Sequence, residues 1–104
     1  MPSVSTTIFA LSGSLTTMTN LDCKGAITGD FANDVILEFT VFNDAATAVS
    51  LGISTESATD ANAFLLKQGE NITLDLNPTA LFLINASVAT IAYRVLFKLR
   101  KVTD

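Results

Sequence analysis

The sequence predicts an all-β fold, a single antiparallel β-sandwich spanning residues 1–104. About seven or eight strands are expected, in a jelly-roll-like or immunoglobulin-like arrangement. Three observations predict it. Apolar residues alternate with period two in Val35–Phe42, Ile72–Leu76 and Ile91–Leu99, which places them on one face of a strand and would scatter them around a helix. Turn signals recur between such runs at a spacing of roughly 8–12 residues. Threonine, β-branched and suited to strands, occurs 14 times against 8 serines and is spread along the chain instead of massed in one tract.

A chain of 104 residues makes one domain and is too short for two. With 49% hydrophobic and 15% charged residues it has the balance of a folding chain, opposite to that of a disordered one. A domain of this size buries roughly two thirds of its unfolded surface, enough for a core without metal or disulfide staples.

Along the chain, Met1–Thr7 holds no Lys or Arg and no long apolar run, so no export signal is expected and synthesis in the cytoplasm is the default. Residues 12–31, with Gly13, Gly25 and Gly29, read as one or two short strands and loops. In Val35–Phe42 the alternation turns Val35, Leu37, Phe39 and Val41 inward, with Glu38 and Thr40 outward. Asn43-Asp44 ends that strand, and another begins in Ala48–Ile53. Thr55–Asn62 is a loop or a single helical turn. Lys67-Gln68-Gly69-Glu70 is a tight connection in which Gly69 takes positive φ. Ile72–Leu76 is a short strand stopped by Asn77-Pro78, because proline cannot donate to a central ladder. Ala80–Ala86 is apolar on both faces, as in a strand covered on both sides or placed in a subunit contact. In Thr90–Lys101, Ile91, Tyr93, Val95, Phe97 and Leu99 share one face, and Ala92, Arg94, Leu96, Lys98 and Arg100 share the other. No window approaches the ~20 apolar residues of a membrane helix.

Composition excludes several chemistries. One cysteine allows no intrachain disulfide. The absence of histidine removes Ser-His and Cys-His pairs, His-ligated zinc and a histidine base. A net charge of −4 argues against a nucleic-acid domain. Cys23, between Asp22 and Lys24, reads as a small core or loop residue, since a nucleophile would need a base partner. Asp30, Asp34 and Asp44 match no calcium-loop spacing and read as turn carboxylates. Asn71-Ile72-Thr73 and Asn85-Ala86-Ser87 match the glycosylation pattern, but both fall in or beside strands and read as chance. No catalytic residue, metal or cofactor is expected.

The candidate partner-binding residues are Arg94, Lys98, Arg100 and Phe64. Four of the six basic residues lie between Arg94 and Lys101, and Arg94, Lys98 and Arg100 share one strand face. They form either a docking stripe for an acidic partner or a solvated face with Glu38 or Asp75 as cross-strand partners. The face lacks stacking aromatics, which disfavours single-stranded nucleic acid. In Asn62–Leu66, Leu65 is expected to cap the core, and Phe64 is either core or subunit contact.

Residues 49–96 resemble a known family. Val49-Ser50-Leu51-Gly52 is a strand ending in glycine. Asn62-Ala63-Phe64-Leu65-Leu66-Lys67-Gln68-Gly69-Glu70-Asn71-Ile72-Thr73-Leu74 is a hydrophobic entry, then Gly-Glu, then an alternating strand. Leu81-Phe82-Leu83-Ile84 and Tyr93-Arg94-Val95-Leu96 close the pattern. This pattern is similar to that of small β-sandwich virion proteins of tailed bacteriophages, of the capsid decoration or cement type. The resemblance implies a non-enzymatic structural protein that stabilises a shell by bridging subunits. Its partner would be the major capsid protein or another virion protein. It would form a homo-oligomer on the particle, bind neither nucleic acid nor membrane, and reside in the virion after synthesis in the host bacterial cytoplasm. Alternatives are a tail or head–tail connector component, and a carbohydrate-binding module. The last is disfavoured by the absence of Trp and by Tyr93, the single tyrosine, lying on the apolar face.

Overall fold

A computed structural model of the chain describes residues 3–59 and 61–103, with side chains for 6–59 and 61–101. It contains eight strands among the described residues: β1 (Ser3–Leu15), β2 (Thr19–Asp22), β3 (Val35–Asn43), β4 (Leu51–Ser54), β5 (Phe64–Leu66), β6 (Asn71–Leu74), β7 (Phe82–Asn85) and β8 (Ile91–Thr103). A single 3-10 turn, Gly29–Phe31, precedes β3. The segment 55–59 forms bends and turns with no helix. The strands make two four-stranded sheets, ordered β1-β8-β3-β6 and β2-β7-β4-β5, and every pairing is antiparallel. Apart from the β4–β5 hairpin, each connection crosses from one sheet to the other. Eight strands in this order are the jelly roll, which decides against the immunoglobulin-like alternative.

β8 supplies the centre of the core. Ile91, Val95, Phe97 and Leu99 are fully buried and Tyr93 nearly so, while Arg94, Leu96, Lys98 and Arg100 face outward, as strict alternation demands. Phe97 lies opposite Phe9 on β1 and Phe39 on β3, with the Phe39 and Phe97 rings 6.1 Å apart. Leu51, Ile53, Leu66 and Leu83 of the second sheet, with Leu81 just ahead of β7, close the core from the other side. Tyr93 stands opposite Gly13, where a Cβ would come within 2.9 Å of the Tyr93 Oη; the glycine gives the ring its room.

β3 departs from its sequence pattern. The alternation turns Val35 and Leu37 inward, but Ile36 is the buried residue and both neighbours are only half-buried. Ile36 pairs with Leu99 and Glu38 with Lys98, so Leu37 is an extra residue between them. This β-bulge shifts the phase by one, after which Phe39 and Val41 face inward as expected. β6 ends at Leu74, leaving Leu76 outside the ladder and 46% exposed. The apolar run Ala80–Ala86 yields the short strand β7 at the centre of its sheet, between β2 and β4, not at an open edge. Its last residue, Asn85, is a buried polar group.

Two buried asparagines organise the loops at one end of the sandwich. Asn43 Nδ2 donates to the carbonyls of Val49 (2.9 Å) and Leu66 (2.8 Å), and its Oδ1 accepts from Ala45 N–H (3.0 Å). Asn85 Nδ2 donates to Leu15 O (3.0 Å) and Ala89 O (2.7 Å), and its Oδ1 accepts from Ser87 N–H (2.9 Å). Each asparagine thereby supplies partners to backbone groups that leave the ladders, which would otherwise be buried unpaired. Gly69 adopts φ 80° in the Lys67–Glu70 turn, as expected, and its N–H donates to Asn43 O (2.9 Å).

The longest feature is the β1–β8 ribbon. All thirteen residues of β1 pair with β8, and the molecule measures 51 × 23 × 22 Å. The sequence pattern gave residues 12–31 only short strands and assigned no strand to the N-terminal residues before them.

Candidate interaction face

The outer face of the β1-β8-β3-β6 sheet carries three of the four candidate residues. Its registry follows from the pairings. Ser12, Arg94 and Phe42 form one row, Ala10, Leu96, Thr40 and Thr73 the next, then Ile8, Lys98 and Glu38, then Thr6, Arg100 and Val35. Thr40 and Thr73 hydroxyls hydrogen-bond at 2.7 Å. Ile8 is 65% exposed and Leu96 38%, so the face sets exposed apolar side chains of β1 and β8 among the basic residues of β8.

Arg94 does not present a free charge. Its Nε donates to Asp44 Oδ2 (2.6 Å) and an Nη to Oδ1 (3.2 Å), and its guanidinium lies 4.2 Å from the centre of the Phe42 ring. Asp44 is set in place by its own N–H, which donates to Ala92 O (2.9 Å). The Asp44 hydrogen bond raises the Arg94 guanidinium above its ordinary value; partial desolvation opposes it, and the Asp44 charge adds to the rise. The expected cross-strand partners were Glu38 and Asp75. Glu38 does face Lys98 in register, but Asp75 lies beyond the end of β6, which pairs with β3 and not with β8. Asp44 was the partner the sequence reading missed. Its signal was positional, since it follows directly on the strand that pairs with Arg94. Lys98 and Arg100 are exposed and carry no ion pair or side-chain hydrogen bond among the described residues. Lys101 turns to the other side, 5.6 Å from the Phe31 ring.

Phe64 sits on the other sheet, in edge strand β5, and is 55% exposed. The structure therefore does not bring it together with the basic stripe. Leu65, expected to cap the core, is 63% exposed, and Leu66 fills that role at 2%. In a three-residue strand one step of registry decides which side chain is buried. Beside it, a shallow groove lined by Gly52, Ala61, Ala63, Leu65, Ile84 and Ala86 holds no titratable group.

Cys23 is fully buried in the core cluster, and its N–H donates to Leu81 O (2.7 Å). Burial, and secondly the charge of Asp22, pushes its thiol up to about 12. Because the unfolded thiol ionises near 9.0, the folded state holds the proton where the unfolded state has lost it. The resulting stability is complete below pH 9 and falls as pH rises toward 12. In urea titrations the unfolding free energy is expected to decline across that interval, and Cys23→Ala is expected to flatten the decline; an unchanged slope would show that Cys23 does not cause it. Asp22 Oδ1 accepts from Lys24, Gly25 and Leu81 N–H groups, a structural use. Among the described residues no three His, Cys, Asp or Glu side chains cluster as metal ligands, and no helix is long and apolar enough to cross a membrane. Asn85 of the second glycosylation-like motif is buried, whereas Asn71 of the first is exposed.

No protein-family model and no curated protein sequence matches the chain. Solved structures share its fold. A subunit from the Bacillus endospore appendages, described as a family of disulfide-linked pili, aligns at TM-score 0.66 and 9% identity over 100% of this chain and 92% of that one. The cupin domain of an XRE-family transcriptional regulator from Enterobacter cloacae aligns at 0.56 and 12% identity over 92% and 94%. A cyanophage Pam1 capsid chain aligns at 0.34 and 18% identity over 95% and 84%, too distant to establish a shared fold.

Proposed function

We propose that the chain is a non-enzymatic structural protein of a bacteriophage particle, a capsid decoration or cement subunit that bridges shell subunits through the outer face of the β1-β8-β3-β6 sheet. The observation that carries the proposal is the composition of that face. Exposed Ile8 and Leu96 lie beside Lys98 and Arg100, two cations without ion-pair partners among the described residues, on a protein of net charge −4. Apolar contact supplies affinity, and the cations orient the domain on an acidic partner and speed its arrival. A domain bound across two shell subunits must leave before they part, so its binding free energy adds to particle stability. The resemblance of residues 49–96 to phage virion proteins supports the same reading. The test is the copy number of the chain in particles purified from its own host. Hundreds of copies are expected for decoration, a few dozen or fewer for a tail or connector part, and none if the protein is not a virion component.

A second reading, a filament subunit, is favoured by one observation: β1 is a long sheet edge with no strand on its far side among the described residues. If so, the linkage differs from that of a disulfide-linked pilus, because the single cysteine, Cys23, is fully buried.

A further inference from the structure

We infer that the free edge of β1 is a pairing surface for a second copy of this chain, joined antiparallel and two-fold symmetric to make one continuous eight-stranded sheet. The inference rests on the edge alone and does not depend on the phage reading. Every second residue of an edge strand turns its N–H and C=O away from the sheet. β1 does so over thirteen residues, a length of about 43 Å. Proteins guard such edges with charges, prolines, bulges or brevity. Ser3–Leu15 contains no charged residue and no proline, and its register with β8 runs without a shift. The other three edges are guarded. β6 and β2 have four residues and β5 has three. Glu70 and Asp75 flank β6, Asp22 ends β2, and Lys67 follows β5.

The occupant follows from length and charge. A ladder along all of β1 needs a partner strand of the same length with a free edge, and among the described strands only another β1 offers one, since β8 is paired on both sides. Full pairing makes about a dozen hydrogen bonds, comparable with the roughly ten of a typical stable interface. An uncharged strand meets no like charge when it pairs with itself. A two-fold axis at Phe9 sets Ile8 against Ala10 of the second copy, both on the outer face, and keeps inner residues opposite inner residues. The basic residues of the two β8 strands then stand three strand spacings apart, about 14 Å, beyond the ~8 Å screening length at physiological salt.

Sedimentation velocity across a concentration series tests this, with two variants. Wild type is expected to form a closed dimer. The double variant Ile8→Lys/Ala10→Lys changes two exposed side chains and places four cations at the seam; it is expected to dimerise at least about tenfold more weakly with an unaltered circular dichroism spectrum. Independently, Ile8→Cys is expected to cross-link as a dimer with a short bis-maleimide, and Glu56→Cys is not, against a background in which buried Cys23 stays unreactive. This second measurement decides the matter if the lysine variant fails to fold. A wild-type monomer at several hundred micromolar, a dimer indifferent to the lysines, equal cross-linking from Glu56→Cys, or open-ended filaments in place of dimers would each overturn the inference.

Discussion

Phe97→Ala is expected to lower the unfolding free energy by about 3–5 kcal/mol, a large share of the ~5–15 kcal/mol available to a domain. The ring is fully buried at the middle of β8 and opposes Phe9 and Phe39 in the two flanking strands. Removing it opens a cavity where both sheets meet, and three strands in fixed register cannot collapse into it without breaking ladder hydrogen bonds. At roughly 4–8 °C per kcal/mol for a chain of this length, the melting temperature is expected to fall by more than about 12 °C. A variant melting within a few degrees of wild type would mean that Phe97 points out of the core and that the β8 register is wrong by one residue.

The second large effect is expected at a polar residue. Asn43→Ala strips partners from the carbonyls of Val49 and Leu66 and from the N–H of Ala45, all beside a fully buried side chain. Each buried group left unpaired costs about 1–3 kcal/mol, so a total loss of roughly 3 kcal/mol or more is expected in urea unfolding. The exposed Thr47→Ala in the same loop is expected to change little. A loss below about 1 kcal/mol for Asn43→Ala would show that water replaces the amide and that the network does not hold the loops.

β8 was legible from sequence because its alternation is strict and its register unbulged, so period two maps directly onto burial. β3 was legible as a strand but not in phase at its start, because a bulge at Leu37 leaves no mark in hydropathy. β1 escaped notice because Ile8-Phe9-Ala10-Leu11 is apolar without interruption and its flanks are Ser and Thr, so no alternation stands out. Asn43 and Asn85 resemble turn residues in sequence; their burial arises only when loops from distant parts of the chain converge on them. The outward parity of Arg94, Lys98 and Arg100 was readable from the strand, whereas the pairing of Arg94 with Asp44, fifty positions away, depends on the β3–β8 register. Phe64 was left open between core and contact, and it stands exposed on a different sheet from the stripe.

The proposed docking face is tested most directly by the rate at which the purified chain associates with particles from its own host, followed across a salt series for wild type and for Lys98→Glu/Arg100→Glu. Both side chains point away from the core, so the double variant is expected to fold. Because exposed charges act through long-range attraction that salt screens, the wild-type rate is expected to fall as salt rises. The reversed variant is expected to bind more slowly at low salt and to approach wild type at high salt. An association rate indifferent to both salt and charge reversal would contradict the docking face and leave Lys98 and Arg100 as solvated surface residues.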